Sequence, residues 1–131
     1  MKYTCALAAG AAVLFVSGAE AHHSFAMFDR TKNVSLEGTV TGFELTNPHS
    51  WLYVEIEDDE GRLAEWTIEM GSPGGMARAG WEADTVKPGD QVTVEIHPLR
   101  DGTYGGQYIE VVLPDGRTMG GGDSGIPPAA R

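Results

Sequence analysis

The sequence predicts an all-β protein, a small five-stranded, partly open barrel of the OB type with one short helix. Five segments alternate between apolar and polar residues, which is the period of a strand and not of a helix. One helix-like stretch lies between the third and the fourth of these segments. The order of three strands, a helix and two strands is that of an OB-fold. A β-sandwich fragment is the competing architecture.

The five predicted strands are rich in β-branched and aromatic residues and cover residues 35–45, 50–57, 62–70, 91–97 and 107–113. Residues 58–61 (DDEG) form a tight turn with Gly61 at its end, so the second and third strands are expected to be adjacent and antiparallel. The alternation predicts that the core contains the aliphatic side chains of the second and fourth strands: Leu52, Val54, Ile56, Val92, Val94 and Ile96.

The helix and the turn that follows it have their own local signals. Ser72 is suited to the N-cap and Pro73 to the first helical position, whereas Gly74 and Gly75 limit the helix to one or two turns. Residues 86–90 (VKPGD) have the proline and glycine of a turn that leads into the fourth strand.

The first 21 residues have the composition of a cleavable signal peptide. Lys2 supplies a positive charge, residues 6–16 are an apolar run, and residues 19–21 (AEA) match the form that signal peptidase recognises. The run is shorter than the roughly 20 residues that span a bilayer, so no membrane span is expected. We expect a periplasmic or secreted protein with a signal peptide (1–21), an OB-like domain (22–116) and a flexible C-terminal tail (117–131).

The composition argues against nucleic acid as a partner. The chain carries 9 Lys and Arg against 19 Asp and Glu, a net charge of −10, whereas nucleic-acid binding relies on clustered cations. Motifs of nucleophilic hydrolases and of phosphate-binding loops are absent from the sequence. Carboxylates two or four residues apart, at Glu55 and Glu57 and at Glu65 and Glu69, could serve as acid and base, but a solvated face is the commoner reason for such a pattern. The sequence therefore favours a protein without enzymatic activity.

Eight short motifs occur in order along the chain: HHSFAMFDR, LEGTV, NPHSW, EWTIEMGSP, GW, KPGD, HPLRDG and LPDG. With them the chain resembles an uncharacterised family of small exported bacterial proteins, known as a domain of unknown function, over nearly all of residues 22–116. The resemblance implies an exported, periplasmic β-barrel and assigns no activity to any residue.

The predicted start of the mature chain is suited to copper. Cleavage after Ala21 leaves His22 with a free α-amine beside its own imidazole, a chelating pair for Cu(II). Cleavage after Ala19 is the alternative, and it leaves a histidine third from the amine, an arrangement that binds square-planar Cu(II) or Ni(II). Either cleavage yields an N-terminus able to bind copper.

All four histidines lie in the predicted mature chain, and neutral imidazole is the side chain that most often binds metals near pH 7. We predict a copper site with His22 and His23 as the principal ligands and His49 or His97 completing it. The alternation places both His49 and His97 on the outside of the barrel. The alternative is that the N-terminal pair is solvated and that the other two are turn residues bonded to backbone.

The second hypothesis is a metal-free module that binds a periplasmic protein or a small ligand. Trp51 and Tyr53 share the outer side of the second strand, and Tyr104 lies in the glycine-containing loop between the fourth and fifth strands. In OB-folds this loop borders the ligand groove. Aromatic side chains at Trp51, Tyr53 and Tyr104 would line such a groove without identifying the ligand.

Overall fold

The computed structural model describes residues 25–120 as a β-barrel with one α-helix. A 3-10 helix (Phe25–Met27) precedes the strands. The remaining elements are β1 (Val34–Glu44), β2 (Trp51–Glu57), β3 (Leu63–Glu69), α1 (Pro73–Arg78), β4 (Gln91–Pro98), β5 (Gly105–Val112) and β6 (Thr118–Gly120). The predicted signal peptide lies outside the described residues. No helix within residues 25–120 is long and apolar enough to cross a membrane.

The strands form one sheet in the order β3-β2-β1-β4-β5-β6, which closes on itself. Closure comes from a short parallel pairing of β3 with β5, in which Thr67, Ile68 and Glu69 face Gly105, Gly106 and Gln107. The other pairings between strands are antiparallel. This topology confirms the predicted small OB-like barrel and argues against the sandwich.

Two glycines at the start of β5 allow the barrel to close. A Cβ atom on Gly105 would lie 2.8 Å from the carbonyl oxygen of Thr67, and one on Gly106 would lie 2.6 Å from that of His97. Neither distance is possible for a real side chain, so the paired glycines let β5 approach its neighbours on both sides.

The predicted core is confirmed, because all six of its members are buried. Around them the barrel adds side chains from β1, β3, β5, α1 and the loop that follows α1. The largest fully buried members of this wider core are Trp81, Tyr108, Ile68 and Met76. Burial of such side chains is the main stabilising contribution in a domain of this size.

The local turn and cap predictions are also confirmed. Gly61 has a φ of 78°, and Asp58 Oδ1 accepts hydrogen bonds from the backbone of Glu60 and Arg62, which tightens the β2–β3 hairpin. Ser72 caps α1 by accepting a bond from the Gly75 N–H at 3.2 Å, with Pro73 as the first helical residue.

Strand β6 is an addition that the sequence pattern did not predict. The expected tail began at residue 117, yet Thr118–Gly120 pairs with the end of β5, and Met119 faces Val111. The Tyr108 hydroxyl donates to the Met119 carbonyl at 2.7 Å. Ordered pairing therefore extends to Gly120, and the rest of the predicted tail lies outside the described residues.

Candidate functional site

The outer side of β2 carries two aromatic residues at neighbouring outward positions. Trp51 and Tyr53 are both half-exposed, whereas Leu52 and Val54 between and beside them are buried. The alternation of the strand produces this division, as predicted. Two large rings therefore stand on the side of β2 that faces away from the core.

Five glutamates lie on the same outer side of the neighbouring strands. The register places Glu44 of β1 and Glu69 of β3 on either side of Trp51, and it places Glu65 of β3 directly opposite Glu55 of β2. Glu57 follows at the end of β2 and is exposed. We call the outer side of β1, β2 and β3 that carries Trp51, Tyr53, Glu44, Glu55, Glu57, Glu65 and Glu69 the acidic face. None of these three strands contains Lys or Arg.

Tyr53 is fixed in place on the acidic face. Its ring lies over Gly42 of β1, where a Cβ atom would be only 3.1 Å from Tyr53 Cδ2. Its hydroxyl donates to Glu44 Oε2 at 3.4 Å. Partial burial, together with the negative charges of Glu44 and Glu65, raises the pKa of the Tyr53 hydroxyl. The tyrosine therefore remains a neutral donor in a negative field.

His49 lies at the edge of the acidic face, as the alternation predicted. Its Nδ1 is 3.3 Å from Glu69 Oε1, and its side chain is 41% exposed. Thr46 holds the loop before it by donating to the His49 carbonyl at 2.7 Å. His49 thus contacts one of the carboxylates of the acidic face.

Gln107 of β5 lies beside Glu69 on the next strand around the barrel, and its side chain is buried. It faces Glu69 across the parallel pairing, so both side chains project from the outer side of the wall. Gln107 is only 5% exposed, and its Oε1 has no hydrogen-bond partner among the described residues. A buried acceptor without a donor is costly, so this group is a candidate for a contact that the described chain does not supply.

Tyr104 lies apart from the pair on β2. It is 57% exposed, and its ring contacts that of Trp66 with centroids 5.4 Å apart. Trp66 alternates with Ile68 on the inner side of β3 and packs partly against the core. Tyr104 therefore sits at the rim of the barrel, and Trp66 is an aromatic neighbour that the sequence analysis did not select.

His97 lies on the outer side of the barrel wall, as the alternation predicted, but it is buried there. Its ring does point away from the core, on the side opposite to Ile96, but it is only 6% exposed. The segment before β1 covers it, because Phe28 forms a β-bridge with Leu99 and the Lys32 carbonyl accepts a bond from His97 Nδ1 at 2.8 Å. His97 therefore joins this N-terminal segment to β4.

The same segment is held to the barrel at several further points. The Asp29 N–H donates to the Pro98 carbonyl, and Arg100 donates from its backbone to Met27 and from its Nε to Ala26, all at 2.8–2.9 Å. The chain is thus fixed on the barrel from Ala26 onward.

The two N-terminal histidines, His22 and His23, lie outside the described residues. Within residues 25–120, no three His, Cys, Asp or Glu side chains are grouped so that they could hold a metal ion. His49 and His97 contact different partners, Glu69 and Lys32 respectively.

The fold and the surface define a small OB-like barrel with an acidic, aromatic outer face. The chain belongs to a family of unknown function, DUF6152, whose model matches residues 11–108. No curated protein matches the chain. Among solved structures it is similar to the mitochondrial single-stranded DNA-binding protein Rim1 of S. cerevisiae, at 15% identity and a TM-score of 0.47 over 63% of this chain and 93% of that chain.

Proposed function

We propose that this protein is an exported binding module whose ligand or partner contacts the outer side of β2 and β3. The observation that carries the proposal is the half-exposed pair Trp51 and Tyr53 on neighbouring outward positions. Aromatic residues are enriched where proteins bind partners, because they supply a large contact area with few rotamers to fix. In OB-folds the face of the second and third strands is the usual ligand surface.

Two sequence properties support the remaining parts of this proposal. The signal-peptide pattern of residues 1–21 supports export to the periplasm or beyond. The carboxylates of the acidic face argue against nucleic acid, because phosphates would meet five glutamates in strands that contain no Lys or Arg.

Site-specific photocrosslinking in the producing cell tests the binding face. A photoreactive phenylalanine analogue at position 51 is expected to form a discrete adduct, because that side chain lies on the proposed contact surface. The matched control carries the analogue at Lys87, which is exposed in the turn before β4. Absence of an adduct at position 51, or equal adducts at both positions, would contradict the proposal.

Trp51→Ala provides a second readout on the same face. We expect it to remove the adduct formed from the analogue at position 53, because a partly exposed ring on a contact surface contributes more to binding than to folding. The loss of stability should stay below the about 3–5 kcal/mol that a core Trp→Ala substitution costs. A loss in that core range, measured by urea unfolding, would show that Trp51 belongs to the fold instead.

A second proposed function is copper binding at the mature N-terminus. The observation that favours it is the anchoring of the chain at Ala26, four residues after His22. An anchored segment would hold a terminal amine and imidazole near one place on the barrel, which reduces the entropy lost when a metal binds. His22 and His23 would be the ligands, and the exposed His49 is the candidate to complete the set.

Calorimetric titration of the exported protein with Cu(II) tests this function. The double variant His22→Ala/His23→Ala should weaken binding strongly, because it removes both proposed imidazole ligands whichever cleavage site is used. The control is Lys87→Ala, which alters an exposed residue in the turn before β4 and should leave copper affinity unchanged. Equal copper affinity in the wild-type protein and the double variant, or no copper uptake at all, would refute the site.

A further inference from the structure

We infer that the acidic face binds an extended, lysine- and arginine-rich segment of a partner protein. This inference rests on the proposed binding function and specifies the chemistry of the partner.

The charge of the face fits a cationic occupant. Glu55, Glu57 and Glu65 are exposed on strands that contain no Lys or Arg. Arg62, in the hairpin that joins β2 and β3, is engaged by Asp58 and Glu60 at 2.8 Å. Glu69 is paired with His49, whereas Glu55, Glu57 and Glu65 have no cationic side chain on their own strands, so their negative potential attracts cations to the surface.

Two of the carboxylates lie in positions where their repulsion is expected to destabilise the strand pairing. Glu55 and Glu65 face each other directly across the β2–β3 pairing. Like charges in such positions repel, and a Thr, Lys or Arg in either position would relieve the repulsion. Thr41 Oγ1 donates to Glu65 Oε2 at 2.9 Å, which orients this carboxylate without neutralising it. A bound cation between the two residues would remove the repulsion.

The spacing of the carboxylates selects an extended chain. Outward residues on one strand are about 7 Å apart, the distance that also separates alternate side chains of an extended peptide. Glu55 and Glu57 on β2 have this spacing, and Glu65 and Glu69 on β3 have twice that spacing, with Thr67 between them. Alternate basic side chains of one strand-like segment can therefore meet successive carboxylates along a face about 20 Å long.

Two further groups suit Lys and Arg side chains. The partly exposed Trp51 ring stands between Glu44 and Glu69. A cation there could make a cation–π contact with the ring and an ion pair with a carboxylate at the same time. Beside Glu69, the buried Gln107 Oε1 lacks a donor among the described residues. Lys and Arg side chains carry only donors, so they can satisfy this acceptor.

The inference is tested by titrating the purified protein with an alternating Lys-Thr peptide long enough to span the face. Binding is measured by calorimetry and by tryptophan fluorescence. We expect the double variant Glu55→Gln/Glu65→Gln to bind the peptide about tenfold more weakly than the wild-type protein. The matched control is Glu82→Gln/Asp84→Asn, which removes the same charge from an exposed loop after α1. We expect this control to bind like the wild type.

Three results would overturn the inference: no binding of the peptide at low salt, an equal loss of affinity in the control variant, or equally tight binding of free spermine. An equal loss in the control variant would indicate that binding depends on net charge alone. Equally tight binding of spermine would indicate that the ligand is a small polycation and not an extended segment. An adduct at position 51 formed with a partner that has no basic segment would also overturn it while leaving the proposed binding function intact. A native near-ultraviolet circular dichroism spectrum of the double variant confirms that lost binding is not lost folding.

Discussion

Tyr108 connects three separate parts of the barrel through one hydroxyl group. It accepts a bond from Trp81 Nε1 at 3.2 Å and donates to the Met119 carbonyl at 2.7 Å. Its ring also meets that of Trp81 edge-on at 5.9 Å. Strand β5, the loop after α1 and strand β6 therefore depend on the same neutral phenol. Burial raises the pKa of this hydroxyl from 10.0 to about 12.

Tyr108 should make the protein sensitive to alkali. Its folded-state pKa lies above the unfolded value, so the unfolded chain releases the proton first as pH rises. The stability that the neutral phenol contributes is complete below pH 10 and is lost between pH 10 and about 12. In Tyr108→Phe this alkaline decline should be smaller, and the loss of both hydrogen bonds should cost about 1–3 kcal/mol at neutral pH.

Urea unfolding of wild type and variant at neutral and alkaline pH measures both effects. Tyr104→Phe is the control, because this tyrosine is 57% exposed and its variant should keep the wild-type pH profile. An unchanged alkaline decline in Tyr108→Phe would show that another group causes it.

At the level of single residues, the sequence predicted which side chains of a strand point inward and which point outward. It placed Leu52 inside and Trp51 outside, because successive side chains of a strand point to opposite sides. It did not predict the burial of His97. Alternation identifies the side of the wall, whereas the cover over His97 comes from a segment 65 residues earlier in the chain. The contact between Tyr104 and Trp66 likewise depends on tertiary packing, which the alternation of a strand does not reveal.

At the level of elements, strong local signals were sufficient for β1 to β5 and α1. Their predicted bounds agree within one or two residues, because alternating β-branched residues and the Ser72–Pro73 cap act locally. Strand β6 has only three residues, too few for a periodic pattern. It forms because β5 presents a free edge beyond its pairing with β3, and because Met119 offers a carbonyl to Tyr108.

Pairing between β2 and β3 leads to a prediction in which stability and binding change in opposite directions. Glu55→Thr removes one of two facing carboxylates and adds a residue with a higher strand propensity, so the free energy of unfolding should rise by about 0.2–1 kcal/mol. The same variant should bind the basic peptide more weakly. Because exposed charges are screened by salt, the gain in stability should shrink at high ionic strength.

Chemical denaturation at low and high salt, with Glu82→Gln as the control, measures the effect of Glu55→Thr. The control residue has no facing carboxylate across a strand pair, so its variant should show no such gain. A loss of stability in Glu55→Thr would mean that Glu55 supports the fold and that the facing carboxylates do not destabilise the β2–β3 pairing.

At the scale of the molecule, positive and negative groups are distributed unequally around the barrel. Arg62 and Arg117 are each bound to aspartates of their own turns, and Arg100 lies near Asp29 at the N-terminal segment. On the acidic face Glu69 lies beside His49, and the three strands themselves contain no Lys or Arg. In this protein of net charge −10, a cationic partner approaching from solution would therefore be drawn to the acidic face.

The pairing of β1 with β4 has a consequence for how the chain acquires its shape. Val34 faces Ile96, so the first strand is completed on this side by residues that are synthesised about 60 positions later. Contacts so distant in sequence make folding slow, typically milliseconds to seconds for barrels of this kind. A nascent chain emerging from the ribosome at about 5–20 residues per second exposes β1 and β2 for several seconds before β4 exists. Until then the barrel has no closed wall, and β1 lacks the partner strand that completes it on this side.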